Sequence, residues 1–139
     1  MEIRMNRELV TDPLDREDLW ADLEDNIDLL TAQGYTQVLA FFGFAWGNHI
    51  YEGRWHDLPI TLADLEKRIA EAEEKGWGRL GQDNLYFTVS ELPLRLSYSY
   101  ENDIHMSYAD DNEIVSLIRK RWLSNEWLTE TLKSKTYDR

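Results

Sequence analysis

Three histidines, His49, His56 and His105, are the side chains of this sequence suited by type to proton transfer near neutral pH or to imidazole ligation of a metal. His49 and His56 lie seven residues apart, and no HExxH, HxH or HxxxH spacing gathers imidazoles on one face, so no metal site is expected. Asp103-Ile104-His105 is different. In a strand, residues two apart share a face and sit about 7 Å apart, which would make Asp103 and His105 an acid-base pair in principle. With no cysteine, thiol nucleophiles, disulfides and thiolate metal sites are excluded. The sequence also lacks a G-x-S-x-G elbow, a P-loop, and a G-x-G-x-x-G run between strand and helix. Gly76-Trp77-Gly78 follows a predicted helix, so it reads as a helix stop and hinge and not as a phosphate cradle. Paired acids such as Glu73-Glu74 and Asp110-Asp111 would do glycosidase-type work only if they faced each other across a cleft of about 5 to 9 Å. The sequence therefore assigns no catalytic residue, metal or cofactor, and a small hydrolase or isomerase centred on His105 and Asp103 stands as the enzymatic alternative.

Charge is the stronger signal. The 139 residues hold 27 acids against 15 Lys and Arg, a net charge of −12, yet 42% are hydrophobic and six are Trp. That composition supplies a packed core and puts the acid on a folded surface. The acid is uneven: residues 1 to 34 hold ten acids and three bases, residues 78 to 113 seven and two, and the segment from 114 onward three and six. Such a field repels nucleic acid and anionic membrane and accelerates encounter with a basic protein. Arg119-Lys120-Arg121 is a small basic cluster that suits a helix C-terminus better than a phosphate backbone. The opposite signs of the two ends also permit two copies to pair.

The elements that must position these residues follow from periodicity. Asp12 before Pro13 reads as a helix start, Leu19, Trp20, Leu23, Ile27 and Leu30 recur at helical spacing, and Gly34 supplies a stop, giving a helix over about 13 to 33. Its opposite face is expected to carry Asp15, Asp18, Asp22, Asp25 and Asp28. The β-rich run Tyr35 to Trp46 and the turn-like Trp46-Gly47-Asn48-His49 suggest a hairpin of strands 37 to 45 and 49 to 55, ended by Leu58-Pro59. Thr61 and Asp64 form a variant capping box, opening a helix through Leu62, Leu65, Ile69 and Ala72 to Gly76. Three alternating runs follow, Leu85/Phe87/Val89, Leu94/Leu96/Tyr98/Tyr100 and Ile104/Met106/Tyr108, the last two joined tightly at Glu101-Asn102. Asp110 or Asp111 is expected to cap a helix through Ile114, Leu117, Ile118 and Trp122, with a further helical stretch at Trp127, Leu128 and Leu132. Trp20 and Trp122 are expected in the core, whereas Trp46, Trp55, Trp77 and Trp127 fall at element ends.

The order α-β-β-α-β-β-β-α implies one α+β domain over residues 1 to 139, a mostly antiparallel sheet of about five strands with helices on one face. The opposite sheet face would carry Tyr86, Thr88, Ser90, Arg95, Ser97, Ser99, His105 and Ser107, free for solvent or a partner. No leader-like or membrane-spanning apolar stretch is present, so a cytoplasmic location is expected.

From Thr61 to Trp127, the capped helix, the GRLGQDNLYF entry to a strand, the YENDIHMSY hairpin and the helix ending near Trp122 resemble the layout of small acidic bacterial immunity proteins. The resemblance covers about half the chain. It implies a non-enzymatic protein that neutralises a partner toxin by binding, and because those families differ in fold it carries over no residue role. The charge pattern, independently, nominates Asp22, Asp25, Asp28, Glu101, Asp103, Asp110 and Asp111 as the acids that meet a basic protein. A DNA mimic that occupies a nucleic-acid-binding protein is a further alternative, disfavoured by the basic C-terminal segment.

Overall fold

The computed structural model describes residues 5–51, 55–128 and 135–136. The elements in chain order are β1 (Arg7–Val10), α1 (Arg16–Ala32), β2 (Gln37–Phe42), α2 (Phe44–Ile50), β3 (Leu58–Thr61), α3 (Leu62–Glu74), β4 (Leu85–Val89), β5 (Leu94–Tyr98), β6 (Ile104–Tyr108), α4 (Glu113–Ser124) and β7 (Lys135–Thr136). One sheet runs β3-β2-β4-β5-β6-β1-β7 with every pairing antiparallel. The α+β class is as the sequence implies, with seven strands among the described residues where about five were expected.

Register explains the two faces. Ala40, Phe87, Leu96, Met106 and Leu9 lie directly opposite one another across β2, β4, β5, β6 and β1, and each is buried. Because strand side chains alternate, this row and its neighbours two residues away form a continuous apolar face. Onto it pack Leu19, Leu23, Ile27 and Leu30 of α1, Leu62, Leu65, Ile69 and Ala72 of α3, and Ile114, Val115, Ile118 and Trp122 of α4. The row one residue over, Phe41, Tyr86, Ser97 and His105, belongs to the other face, which no helix stripe covers among the described residues.

The meander β4 to β6 matches the alternating runs, and Asn102 takes the left-handed turn position (φ +64°) between β5 and β6. The cap of α3 is as expected: the Asp64 N–H donates to Thr61 Oγ1 at 3.2 Å. Two caps move by a few residues. Asp15, not Asp12, caps α1 by accepting from the Asp18 N–H at 2.9 Å, while the Asp12 N–H donates to the Trp127 carbonyl. Asn112, not Asp110 or Asp111, caps α4 by accepting from the Val115 N–H at 2.9 Å.

The expected hairpin of 37 to 45 and 49 to 55 is overturned. After β2 the chain enters the short helix α2, and the antiparallel partner of β2 is β3, where Pro59 is tolerated because β3 is an edge strand. Tertiary packing overrides local β preference here. The fully buried Trp46 meets Phe42 edge-on with centroids 5.6 Å apart and donates its indole N–H to the Asn84 carbonyl at 3.0 Å. A Cβ at Gly78 would fall 2.6 Å from Trp46, so only glycine lets that loop close over the indole. Strand β1 was not foreseen. The helical stretch expected near Leu132 lies outside the described residues, and no described helix is long and apolar enough to cross a membrane.

Candidate binding cleft on the open sheet face

The row Phe41, Tyr86, Ser97 and His105 forms the floor of a cleft of about 510 Å³. Its rim comes from three connections: Phe44 at the start of α2, Trp55 before β3, and Tyr100 with Glu101 in the β5–β6 turn. Phe44, Trp55 and Tyr100 are 47%, 42% and 54% exposed, an unusual state for such apolar side chains on adjacent loops.

These aromatics are held in place. Asn84 ties two rims together: its carbonyl accepts from the Gly43 N–H at 2.8 Å and its Oδ1 from the Tyr100 N–H at 2.8 Å. Phe44 and Tyr100 consequently meet edge to face, with centroids 5.5 Å apart and planes at 78°. Trp55 stands edge-on to Phe41 at 6.2 Å and tilts over Tyr51 at 5.9 Å. A Cβ on Gly47 would meet the Trp55 ring at 3.1 Å and the Phe42 carbonyl at 2.5 Å, so a glycine is needed where α2 backs the indole. Phe41 stacks on Tyr86 at 5.3 Å, and the Arg95 guanidinium lies 4.2 Å over the Tyr86 ring. The Tyr86 hydroxyl donates to Asp57 at 3.1 Å, and burial together with the Asp57 charge raises its pKa.

Phe44 carries a second mark. Its φ is +53°, a left-handed conformation that costs a bulky non-glycine residue on the order of 1 to 2 kcal/mol. Hydrogen bonds on both sides hold it, from the Gly43 N–H to Asn84 and from the Ala45 N–H to Asp83 Oδ1 at 3.1 Å. Strain retained at an exposed aromatic points to use of that side chain.

The polar end of the cleft contains His105, which is bonded to Asp103 behind the lining residues. His105 Nε2 lies 3.0 Å from Asp103 Oδ1 and Nδ1 lies 3.4 Å from Glu8 Oε2, a carboxylate brought from β1. Ser99 donates its hydroxyl to Asp103 and accepts the Glu101 N–H at 3.1 Å. This order is wrong for nucleophilic catalysis, because the serine addresses the carboxylate and not the imidazole. Both ring nitrogens also face carboxylates, which leaves neither aimed at a substrate proton.

The seven nominated acids do not form one surface. Glu101 sits on the cleft rim, and Asp103 is bonded to His105 beside it. Asp25 and Asp28 are exposed on α1, in the helix layer on the opposite side of the sheet. There Glu24 and Asp28 face Glu66, whose carboxyl is raised by its own partial burial and by those two charges. Asp110 is exposed, and Asp111 pairs with Arg119 at 2.6 Å and Arg7 at 3.4 Å, the Arg119 bond holding its carboxyl below the usual value.

Asp22 is a correction. It was expected on the exposed face of α1 but is fully buried, accepting from Trp122 Nε1 at 2.8 Å, Arg121 at 2.6 Å, Asn26 Nδ2 at 2.8 Å and the Tyr98 hydroxyl at 2.9 Å. Its charge is directed inward and answers Arg121 of α4. The same helix shows Trp20 only partly buried, donating its indole N–H to Glu73 at 3.1 Å, whereas Trp122 is in the core as expected.

The residues that sequence reasoning missed are Glu8, Phe41, Phe44, Trp55, Asn84 and Tyr100. They come from five separate segments, and only the exposure of Trp55 was hinted at by its place at an element end. The remaining histidines are apart: His49 stacks on Trp77 at 5.1 Å, and His56 lies 5.4 Å from Tyr51. Among the described residues no three His, Cys, Asp or Glu side chains are grouped to hold a metal ion. Comparison of this chain with protein-family models, with curated proteins and with solved structures finds no match.

Proposed function

We propose that this is a cytoplasmic, non-enzymatic binding protein that docks a basic protein, a toxin domain being the best-fitting class, through the open face of its sheet. The observation that carries the reading is the convergence of Phe44, Trp55 and Tyr100, each more than two-fifths exposed, on one cleft bordered by Glu8 and Glu101. Aromatic anchors surrounded by charge are the usual composition of a protein-docking hot spot, and the net charge of −12 selects a basic partner and speeds encounter. The split of the exposed acids between the cleft rim and the far face of α1 weighs against a DNA mimic, which needs acids in series along one surface. An acid-base enzyme is the second reading, favoured by His105 lining the cleft with Asp103 bonded to it, and opposed by the engagement of both ring nitrogens.

The test is affinity capture from an extract of the native host with the wild-type protein and with a Trp55→Ser/Tyr100→Ser double variant, followed by titration of the captured protein in pure form. A basic protein retained in one-to-one ratio by the wild type and released by the variant is the expected result. Equal retention by both would refute docking at this face. Turnover of a small substrate that disappears in His105→Ala would favour the enzyme.

A further inference from the structure

The cleft has the chemistry of a receptor for one particular side chain. None of the described residues that line it is Lys or Arg, while Glu8 and Glu101 bring carboxylates to its edge, and its one imidazole is already engaged by Glu8 and Asp103. The walls are aromatic and turned in different directions: Tyr100 is nearly perpendicular to Phe44, and Trp55 stands at 63° to Phe41. Ring faces carry partial negative charge, so rings disposed around a space with carboxylates at its edge attract a cation that can shed water. The same sheet face already displays the interaction. Arg95 places its guanidinium carbon 4.2 Å from the Tyr86 ring centroid.

From this we infer that the cleft receives an arginine side chain of the docked protein, its guanidinium against the exposed rings of Trp55 and Tyr100 and hydrogen-bonded to Glu101. Arginine is preferred to lysine because a planar guanidinium stacks on rings and offers paired donors to a carboxylate, whereas an ammonium is a compact, strongly hydrated point charge. The inference rests on the docking reading above and adds the group that docks. An anionic or phosphate-bearing ligand is rejected by the same carboxylates.

The experiment is an NMR titration of the full chain, uniformly 15N-labelled, with acetyl-arginine methylamide, and in parallel with its citrulline and lysine counterparts. The arginine compound should shift the Trp55 indole resonance and the amides of Phe44, Tyr100 and Glu101 with a shared saturating curve. Citrulline, which keeps the shape and loses the charge, should bind about tenfold more weakly. Because a chain of charge −12 collects cations indiscriminately, the deciding variants leave charge unchanged: Trp55→Leu and, separately, Tyr100→Leu, each checked for native amide dispersion. Loss of the saturable shifts in either folded variant supports the inference. Equal binding of citrulline, shifts confined to the α1 acids Asp25 and Asp28, or unaltered titration of both variants would overturn it. If the arginine probe leaves the cleft untouched while a captured basic partner still depends on Trp55 and Tyr100, the arginine assignment fails and the docking reading stands. If the probe saturates the cleft but no basic partner depends on it, the assignment stands and the docking reading fails.

Discussion

Replacing Asp22 by Asn preserves shape and removes one buried charge, and the structure sets what should follow. Asp22 Oδ1 accepts from Arg121 and Trp122, and Oδ2 from Asn26 and the Tyr98 hydroxyl, so the carboxylate is fully committed. An amide can keep the first oxygen's role but turns the second into a donor facing the Asn26 amide. The Tyr98 hydroxyl can rotate to accept, whereas Asn26 Nδ2 is left against another donor, and Arg121 loses its buried counter-charge. Breaking a buried ion pair on one side costs about 3 to 5 kcal/mol. Arg121 retains one-fifth of its side-chain exposure and lies 4.0 Å from Asp25, so water and Asp25 offset part of that and the low end, about 3 kcal/mol, applies. For a domain whose total stability is about 5 to 15 kcal/mol this is a large fraction. Urea unfolding followed by tryptophan fluorescence should show a lower midpoint at unchanged slope. A loss below about 1 kcal/mol would refute the assignment of Asp22 as the keystone between α1 and α4. Combining Asp22→Asn with Arg121→Met should cost less than the sum of the two single changes, because the second no longer strands a charge.

Glu73 accepts from Arg16, from Trp20 Nε1 and from the Leu80 N–H, and although burial opposes ionisation, those bonds and the Arg16 charge hold its carboxyl below the ordinary value. Its contribution should be fully present above about pH 4.5 and fall as pH drops further, a slope that Glu73→Gln should flatten in acid unfolding curves. Tyr98 is shifted the other way, raised well above 10 by burial and by Asp22. The unfolded chain then loses this proton first, so stability should decline above pH 10, by at most about 1.4 kcal/mol per pH unit from this group. Urea midpoints from pH 9 to 11 should decline less steeply in Tyr98→Phe, with Tyr51 and Tyr86, also raised by burial, supplying the rest. Phe44→Gly relieves the left-handed strain but removes one ring contact of about 1 kcal/mol and frees the unfolded chain by up to about 1 kcal/mol, so thermal unfolding should move little while affinity for a docked partner falls.

What was legible in the sequence was what repeats locally. The meander is visible because three runs between Leu85 and Tyr108 have apolar residues at every second position, and α3 because Thr61 and Asp64 bracket an apolar stripe. Strand β1 was hidden because four residues with only Leu9 fully buried carry no period, and its partner β6 lies about a hundred residues away. Helix α2 falls where the sequence suggests a strand end and a turn at Trp46-Gly47-Asn48-His49, because Phe and Trp serve either state, and the choice is made by Asn84 and Gly78 receiving Trp46. The burial of Asp22 did leave a trace: Asp22 and Asn26 are four apart and fall within the stripe of Leu19, Leu23, Ile27 and Leu30, a polar pair inside an apolar face. The cleft left only its floor and scattered hints: Tyr86, Ser97 and His105 were expected on the free sheet face and Trp55 at an element end, but its rim is assembled by loops whose proximity depends on sheet order.

The central claim, docking of a basic protein on the open sheet face, is tested most directly by amide hydrogen exchange of this chain with and without that partner. The account predicts slowed exchange around Phe44, Asn84 and the Tyr100–Asn102 turn, with the exposed turn of α1 at Asp25 and Asp28 unchanged. Protection confined to α1, with the cleft exchanging as in the free protein, would contradict it.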